Sequence, residues 1–224
     1  TMLGVPIITH PEDLTITGKG VMHGGYWATR LGLPGMARAA EDAALFRDIE
    51  LARAAKGQLH VAHVSTKGAV EIIRRAKGEG VRVTAAATPH HFSLDHARCR
   101  DYSPLFKTNP PLREADDLNA IAEGLADGTI DAIATDHEPH TGTEKEYQFD
   151  QAPFGVFWCG EKGRINRGRC KHSIAFFADG TTHHIERRNQ ARQPDNPFGR
   201  NGPGELARQI IHHRFSLLRG GLVI

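Results

Sequence analysis

Residues 5–135 alternate between short apolar runs and segments in which apolar side chains recur every three or four positions. The short runs contain β-branched residues and are typical of buried strands; they lie at residues 5–9, 59–64, 81–86 and 130–135. The amphipathic segments predict helices; they lie at residues 34–56, 66–78 and 113–127. Strands that alternate with helices in this way predict an α/β fold with a parallel sheet and right-handed crossovers.

Capping residues and glycines mark the ends of the predicted helices. Ser65 or Thr66 can accept a hydrogen bond from the first turn of the second helix. Gly57 and Gly128 follow the last apolar positions of the first and third helices, and the second helix is expected to end near Gly78.

Histidine is the unusual feature of the composition, with 14 residues. Each predicted strand ends at or near one of them, and the four exits carry His10, His63, the pair at 90–91, and the pair Asp136 and His137. The carboxyl ends of parallel strands meet at one edge of a sheet, so these side chains are expected to converge. A single histidine at such a position can simply bond a backbone carbonyl, and the interpretation therefore depends on the set.

Converging imidazoles and a carboxylate favour a zinc-like ion. Such an ion lowers the pKa of a bound water towards about 7 and polarises a carbonyl, which makes amide hydrolysis feasible at neutral pH. Asp136, as a ligand or as a neighbour of that water, could accept its proton and pass it to the leaving nitrogen.

The overall composition, 39% hydrophobic and 24% charged, is that of a soluble globular protein. No apolar run reaches the roughly 18–20 residues of a membrane helix, and the first residues lack the pattern of a signal peptide. The three cysteines, Cys99, Cys159 and Cys170, are odd in number and far apart, which indicates a reducing compartment and a cytoplasmic location. No glycine-rich nucleotide-binding fingerprint follows a strand.

Six segments carry a family resemblance. They are THPED at 9–13, HVAHVSTK at 60–67, TPHH at 88–91, KTNPPLR at 107–113, ATDHEPH at 134–140 and APFG at 152–155. Their order and spacing resemble bacterial dihydroorotases of the amidohydrolase superfamily over residues 1–156. The resemblance implies a partial (β/α)8 TIM barrel of the metal-dependent amidohydrolase type, entered in mid-barrel.

The resemblance also implies residue roles. His10, His63 and Asp136 match metal ligands for one or two Zn²⁺ ions, and Asp136 also matches the catalytic acid and base. The positions that match substrate contacts are Asn109, His140, Phe154 and Gly155. The implied reaction is the reversible hydrolysis of dihydroorotate to N-carbamoyl-aspartate in pyrimidine biosynthesis. Hydantoinases and allantoinases share this metal chemistry, but the wording of segments 107–113 and 136–140 favours dihydroorotase.

Two features of the family have no counterpart in this sequence: the His-x-His pair of its first metal-binding strand, and a bridging aspartate or carboxylated lysine. We therefore expect an incomplete active site, an open sheet with unpaired edges, and poor solubility or dependence on another chain. The alternative is a non-catalytic, dihydroorotase-like subunit that stabilises an enzyme of the pathway, and a homo-oligomer also stays open. Neither a nucleic-acid partner nor a membrane partner is expected.

Residues 157–224 differ from the preceding part. Up to residue 156 the chain has 16 Lys and Arg against 21 Asp and Glu, a net charge of −5, whereas the remainder has 12 against 5, a net charge of +7. With little hydrophobic periodicity, this segment is expected to be an irregular basic tail, either disordered or produced by a frameshift. Its cysteines and histidines lack the close pairing of a zinc finger, and its arginines lack a nucleic-acid-binding motif.

Overall fold

The computed structural model describes residues 5–136, 138, 140–156 and 175–177. One five-stranded sheet has the order β1-β4-β5-β6-β7, and a separate two-stranded parallel sheet joins β2 to β3. The strands are β1 (Ile7–Thr9), β2 (Met22–His23), β3 (Gly35–Met36), β4 (Leu59–Val61), β5 (Val83–Ala87), β6 (Ala132–Ala134) and β7 (Ala175–Phe177). The strands β1, β4, β5 and β6 are parallel neighbours, as the alternating sequence pattern predicts.

Five α-helices accompany the strands in the described part of the chain, and three of them cross over between parallel strands. They are α1 (Leu14–Thr17), α2 (Tyr26–Leu31), α3 (Arg38–Ala55), α4 (Lys67–Gly78) and α5 (Ala115–Asp127). Thr66 caps α4, because its side chain accepts a hydrogen bond from the Ala69 amide. Gly128 ends α5 in the left-handed conformation, with φ +86°. None of the described helices is both long and apolar enough to cross a membrane.

The main core lies between the sheet and the helices α3, α4 and α5. Its fully or almost fully buried side chains include Leu45, Ile49, Val61, Ile73, Ala85, Ile121 and Ile130. α4 and α5 bury their apolar faces in this core, and α3 contributes Leu45 and Ile49 to it, although Phe46 and Leu51 of α3 are exposed. This packing holds the carboxyl ends of the parallel strands at a common edge, and His10, His63 and Asp136 follow three of these strand ends.

The strand β1 departs from the sequence prediction. It was expected to be buried, but Ile7 and Ile8 are 67% and 70% exposed. β1 pairs with β4 on one side and forms the edge of the sheet among the described residues. Burying both faces of a strand requires elements packed on both, and the described elements leave Ile7 and Ile8 uncovered.

The strand β7 was not expected, since its segment was assigned to an irregular tail. It pairs antiparallel with β6, in a register that joins Ala132 to Phe177. The other expectations for the tail lie outside the described residues, including those for Cys159, Cys170 and its histidines and arginines.

Candidate active site at the carboxyl edge of the sheet

His10 and His63 lie side by side just beyond the carboxyl ends of β1 and β4. His10 Nδ1 is 3.0 Å from His63 Nε2, and the two rings meet edge to face with their centroids 4.6 Å apart. Two nitrogens bound to one tetrahedral zinc ion at about 2.0–2.1 Å stand roughly 3.3 Å from each other. The observed pair therefore fits two ligand positions of such an ion with little movement.

The environment of His63 keeps its imidazole neutral. Burial, reinforced by the neighbouring His10 ring, lowers the pKa of His63 to about 4. A neutral imidazole offers a lone pair, which is the form that binds a metal. His63 also has a left-handed backbone, with φ +34°, which is uncommon for a residue other than glycine and typical of functional sites.

Asp136 follows β6 and completes the predicted set. It too has a left-handed backbone, with φ +47°. Burial raises the pKa of Asp136; the interaction with the neighbouring His63 ring partly offsets this effect, and the nearby Glu138 adds to it. A raised pKa suits a group that accepts and returns a proton. The carboxylate is within electrostatic range of both histidines, but among the described residues these three do not bring their ligand atoms within 4.8 Å of one another.

Glu12 joins two parts of the predicted site, although the sequence analysis assigned it no role. Its Oε2 accepts hydrogen bonds from His10 Nε2 at 3.1 Å and from Asn109 Nδ2 at 3.2 Å. Burial raises the pKa of Glu12, but hydrogen bonds from Asn109, Thr17 and His10 outweigh it, so the pKa lies below its usual value. Glu12 lies in the THPED segment next to His10, so the sequence could have pointed to it. Its contact with residue 109, however, depends on the fold.

The other predicted substrate contacts lie together in a loop. His140 Nε2 donates a hydrogen bond to the Phe154 carbonyl at 2.7 Å. Gly155 has φ +125°, and its amide donates to the Lys107 carbonyl. A Cβ atom at this position would stand 2.9 Å from both the Glu138 carbonyl oxygen and His140 Nε2, so only glycine fits. The structure thus groups these three predicted residues, while Asn109 lies on the His10 side through Glu12.

Two lysines hold this loop in place and were not singled out from the sequence. Lys107 Nζ donates to the carbonyls of Asp150 and Ala152, and Lys145 Nζ donates to those of Pro104 and Pro153. Burial, followed by the charge of Lys107, lowers the pKa of Lys145 to about 8. Backbone carbonyls that bind a lysine leave no pattern in a sequence.

One of the two histidines at the end of β5, His91, has a structural role. His91 is fully buried, and its Nδ1 lies 2.7 Å from Thr88 Oγ1 while its Nε2 donates to the Pro110 carbonyl at 3.0 Å. Both ring nitrogens are therefore engaged within the protein. His91 anchors the chain next to Asn109 and is not a candidate ligand.

A second cluster lies away from the strand ends. Among the described residues, His23, His96 and Glu114 bring three ligand atoms within 4.8 Å of one another. However, Arg38 Nη2 is 2.6 Å from Glu114 Oε2, and Arg113 Nη1 donates to His23 Nδ1 at 3.3 Å. Arg38 competes with a cation for the carboxylate, Arg113 occupies a ring nitrogen of His23, and both guanidinium charges repel a cation. The cluster is therefore better explained as a partner of the two arginines.

The sequence of this chain is similar to those of known dihydroorotases. A family model described as "Dihydro-orotase-like" matches residues 1–69. A dihydroorotase of Anaeromyxobacter dehalogenans is 56% identical over 155 residues, covering 68% of this chain and 36% of that protein. A dihydroorotase of Pelotomaculum thermopropionicum is 53% identical over 155 residues, covering 69% of this chain and again 36% of the relative. This chain therefore spans just over a third of the length of these curated relatives.

The fold comparison agrees with the sequence comparison. The L-hydantoinase (dihydropyrimidinase) of Arthrobacter aurescens superposes with a TM-score of 0.61 at 26% identity, covering 70% of this chain and 36% of that chain. The likeness confirms the predicted fold class, a partial TIM barrel of the amidohydrolase type.

Proposed function

Because the N-terminal two thirds of this chain belong to the dihydroorotase family of the amidohydrolase superfamily, we propose that this polypeptide supplies one part of a zinc-dependent cyclic amidohydrolase. The proposed reaction is the reversible hydrolysis of dihydroorotate to N-carbamoyl-aspartate. The observation that carries the proposal is the approach of His10 Nδ1 to His63 Nε2 at the carboxyl edge of the sheet. The names of the relatives support dihydroorotate as the substrate.

His10, His63 and Asp136 would hold the ion. When bound, zinc supplies an activated water and polarises the substrate carbonyl. His63 contributes a neutral ring, because burial keeps its pKa low. Asp136 accepts a proton at its carboxylate and passes it on to the ring nitrogen that leaves, a task for which its raised pKa is suited.

The loop that contains His140, Phe154 and Gly155 would bind the substrate, together with Asn109. The close approach of the Gly155 backbone to Glu138 and His140 leaves no room for a side chain at this position. Small-molecule sites use a few placed polar groups to orient the ligand, and the side-chain amide of Asn109 is such a group. The proposed location is cytoplasmic, and the proposed small-molecule partners are dihydroorotate and N-carbamoyl-aspartate.

A second proposal concerns assembly. The exposed β1 edge favours a chain that acts together with a further polypeptide, either a second copy or a pathway enzyme. If this chain is not catalytic, its function would be only to stabilise that partner. Turnover distinguishes the two functions. A catalytic part gives dihydroorotate hydrolysis that is lost in Asp136→Asn, whereas a supporting subunit leaves the partner's turnover unchanged in the same variant.

Zinc binding by the purified metal-free chain is the direct test of the site. Titration with Zn²⁺ against a chromophoric chelator should show a site that His10→Ala and His63→Ala each weaken at least about tenfold, since each removes a ligand. His60→Gln serves as the matched control, because the ring of His60 contacts Thr84 on β5 and lies outside the site. Equal zinc affinity in all four proteins would overturn the proposal, and turnover of hydantoin but not of dihydroorotate would reassign the substrate.

A further inference from the structure

Glu12 is the carboxylate that contacts both a candidate metal ligand and a candidate substrate contact. Its Oε2 accepts hydrogen bonds from His10 Nε2 and Asn109 Nδ2, and its side chain is only 16% exposed. We propose that Glu12 is a positioning residue that holds the His10 proton on Nε2 and orients the Asn109 amide. The inference rests on the proposed function of His10 as a metal ligand.

The chemistry of the carboxylate and the imidazole determines which nitrogen of His10 carries the proton. An ionised carboxylate can only accept hydrogen bonds, so the His10 nitrogen that faces Glu12 must carry a proton. A neutral imidazole has one proton, so Nδ1 keeps its lone pair. Nδ1 is also the atom that lies 3.0 Å from His63 Nε2. Glu12 therefore presents the correct nitrogen of His10 to the position where an ion would bind, and carboxylates commonly orient metal-binding histidines in this way.

The same carboxylate oxygen sets the orientation of Asn109. Because Oε2 donates no hydrogen bond, the amide group of Asn109 must face Glu12 with its nitrogen. The amide oxygen then remains the acceptor that Asn109 can offer to a ligand N–H, a group that a cyclic amide with an unsubstituted nitrogen carries. One side chain thus couples the arrangement of the ion to that of the substrate. A further anchor is Thr17, whose side chain also bonds Glu12.

The first measurement needs neither metal nor turnover. Long-range ¹H–¹⁵N correlation spectra of the metal-free chain report which ring nitrogen of His10 carries the proton. We expect the Nε2–H form in the unmodified protein, and a shift towards Nδ1–H in Glu12→Ala and Glu12→Gln. The glutamine amide can donate to Nε2, so a mixture of both forms is expected there. Glu123→Gln, an identical chemical change at an exposed position of α5, should leave the spectrum of His10 unchanged.

The second measurement is zinc affinity in the same proteins. Loss of the orienting carboxylate in Glu12→Ala should weaken zinc binding about 10–100-fold, with Glu12→Gln intermediate and Glu123→Gln unchanged. Circular dichroism establishes that each variant is folded. If Glu12→Ala does not fold, the tautomer and affinity of Glu12→Gln decide the matter.

The outcomes separate this inference from the proposed function. An Nδ1–H proton on His10 in the unmodified chain, or zinc affinity within about twofold in Glu12→Ala while His10→Ala loses it, overturns the role of Glu12. If His10→Ala leaves zinc binding intact, the metal site fails, yet the tautomer shift in Glu12→Ala would still establish that Glu12 positions His10.

Discussion

Burial determines the state of several individual side chains in this protein. His23, His90 and His91 are each about 1% exposed, and burial lowers the pKa of all three, to about 4 for His23, to about 3 for His90 and well below the usual value for His91. The folded protein therefore keeps these rings neutral at pH values where an unfolded chain would protonate them. Because protonating these rings is unfavourable in the folded state, the free energy of unfolding depends on pH.

We expect the free energy of unfolding to decrease as the pH falls from about 6.5 to about 4. In this window the unfolded chain binds protons at these histidines and the folded chain does not, so each ring contributes up to about 1.4 kcal/mol per pH unit. Urea denaturation at a series of pH values between about 7 and about 5 measures the slope. A stability that is constant or that rises towards low pH would contradict the assigned protonation states.

At the residue scale the sequence predicted the groups that stand at strand ends and missed those that act through contacts. His10, His63 and Asp136 could be singled out because a parallel sheet brings its carboxyl ends together. The role of Glu12 depends on a hydrogen bond to Asn109, 97 residues away in the chain, and Lys145 binds backbone carbonyls. Such contacts follow from the packed structure and have no local signature.

Among the helices and strands, those with a periodic apolar pattern were predicted, and those that depend on contacts with other elements were not. α4 and α5 begin and end close to the predicted positions, because each has an apolar stripe and a recognisable end. α3 ends as predicted, but it begins at Arg38 and not at residue 34, because residues 35–36 form the strand β3. The short parallel pair of β2 and β3 was not predicted, since two-residue strands are too short to show a period. The exposure of β1 was also not predicted. An apolar run shows that its side chains favour burial, but it does not show that another element packs against them.

A buried ion pair joins three of these elements. Glu41 on α3 accepts hydrogen bonds from the Ser65 amide and hydroxyl before α4, and from Arg113 Nη2 at 3.3 Å before α5. Both charged side chains are 3% exposed. Arg113 also donates to Ser65 Oγ and to the Met36 carbonyl. The network fixes the chain that leads from the site segment at 107–113 into α5.

Glu41→Gln should lower the free energy of unfolding by about 3–5 kcal/mol, because it removes the carboxylate that contacts the buried Arg113 guanidinium. Glu50→Gln on the same helix is the matched control. Glu50 pairs with Arg53 at the surface, so its loss should cost less than about 1 kcal/mol. Chemical denaturation of both variants measures the difference. Similar small losses in both would show that Arg113 is adequately solvated or paired without Glu41.

At the scale of the whole molecule, the sheet is protected on one side and open on the other. Among the residues that the structure describes, β7 covers the edge of β6, whereas the outer edge of β1 is unpaired and Ile7 and Ile8 are exposed on opposite faces. Nearby apolar side chains on α1 and α3 are exposed as well, namely Leu14, Ile16, Phe46 and Leu51. An exposed strand edge with apolar side chains is a template for pairing with another chain.

We therefore expect the purified chain to self-associate through β1, and the double change Ile7→Lys with Ile8→Lys to reduce this association. Lysine on an edge strand makes a second strand unfavourable there by repulsion and desolvation, while the buried core between β4, β5 and the helices is untouched. Leu105→Lys tests whether added charge alone is responsible, since Leu105 is 57% exposed and lies in a short turn of 3₁₀-helix away from the sheet edge. Size-exclusion chromatography with light scattering, at several protein concentrations, reports the mass of each protein. If the double variant associates as strongly as the unmodified chain, association does not proceed through β1. If Leu105→Lys reduces association as much as the double variant does, net charge and not the strand edge controls association.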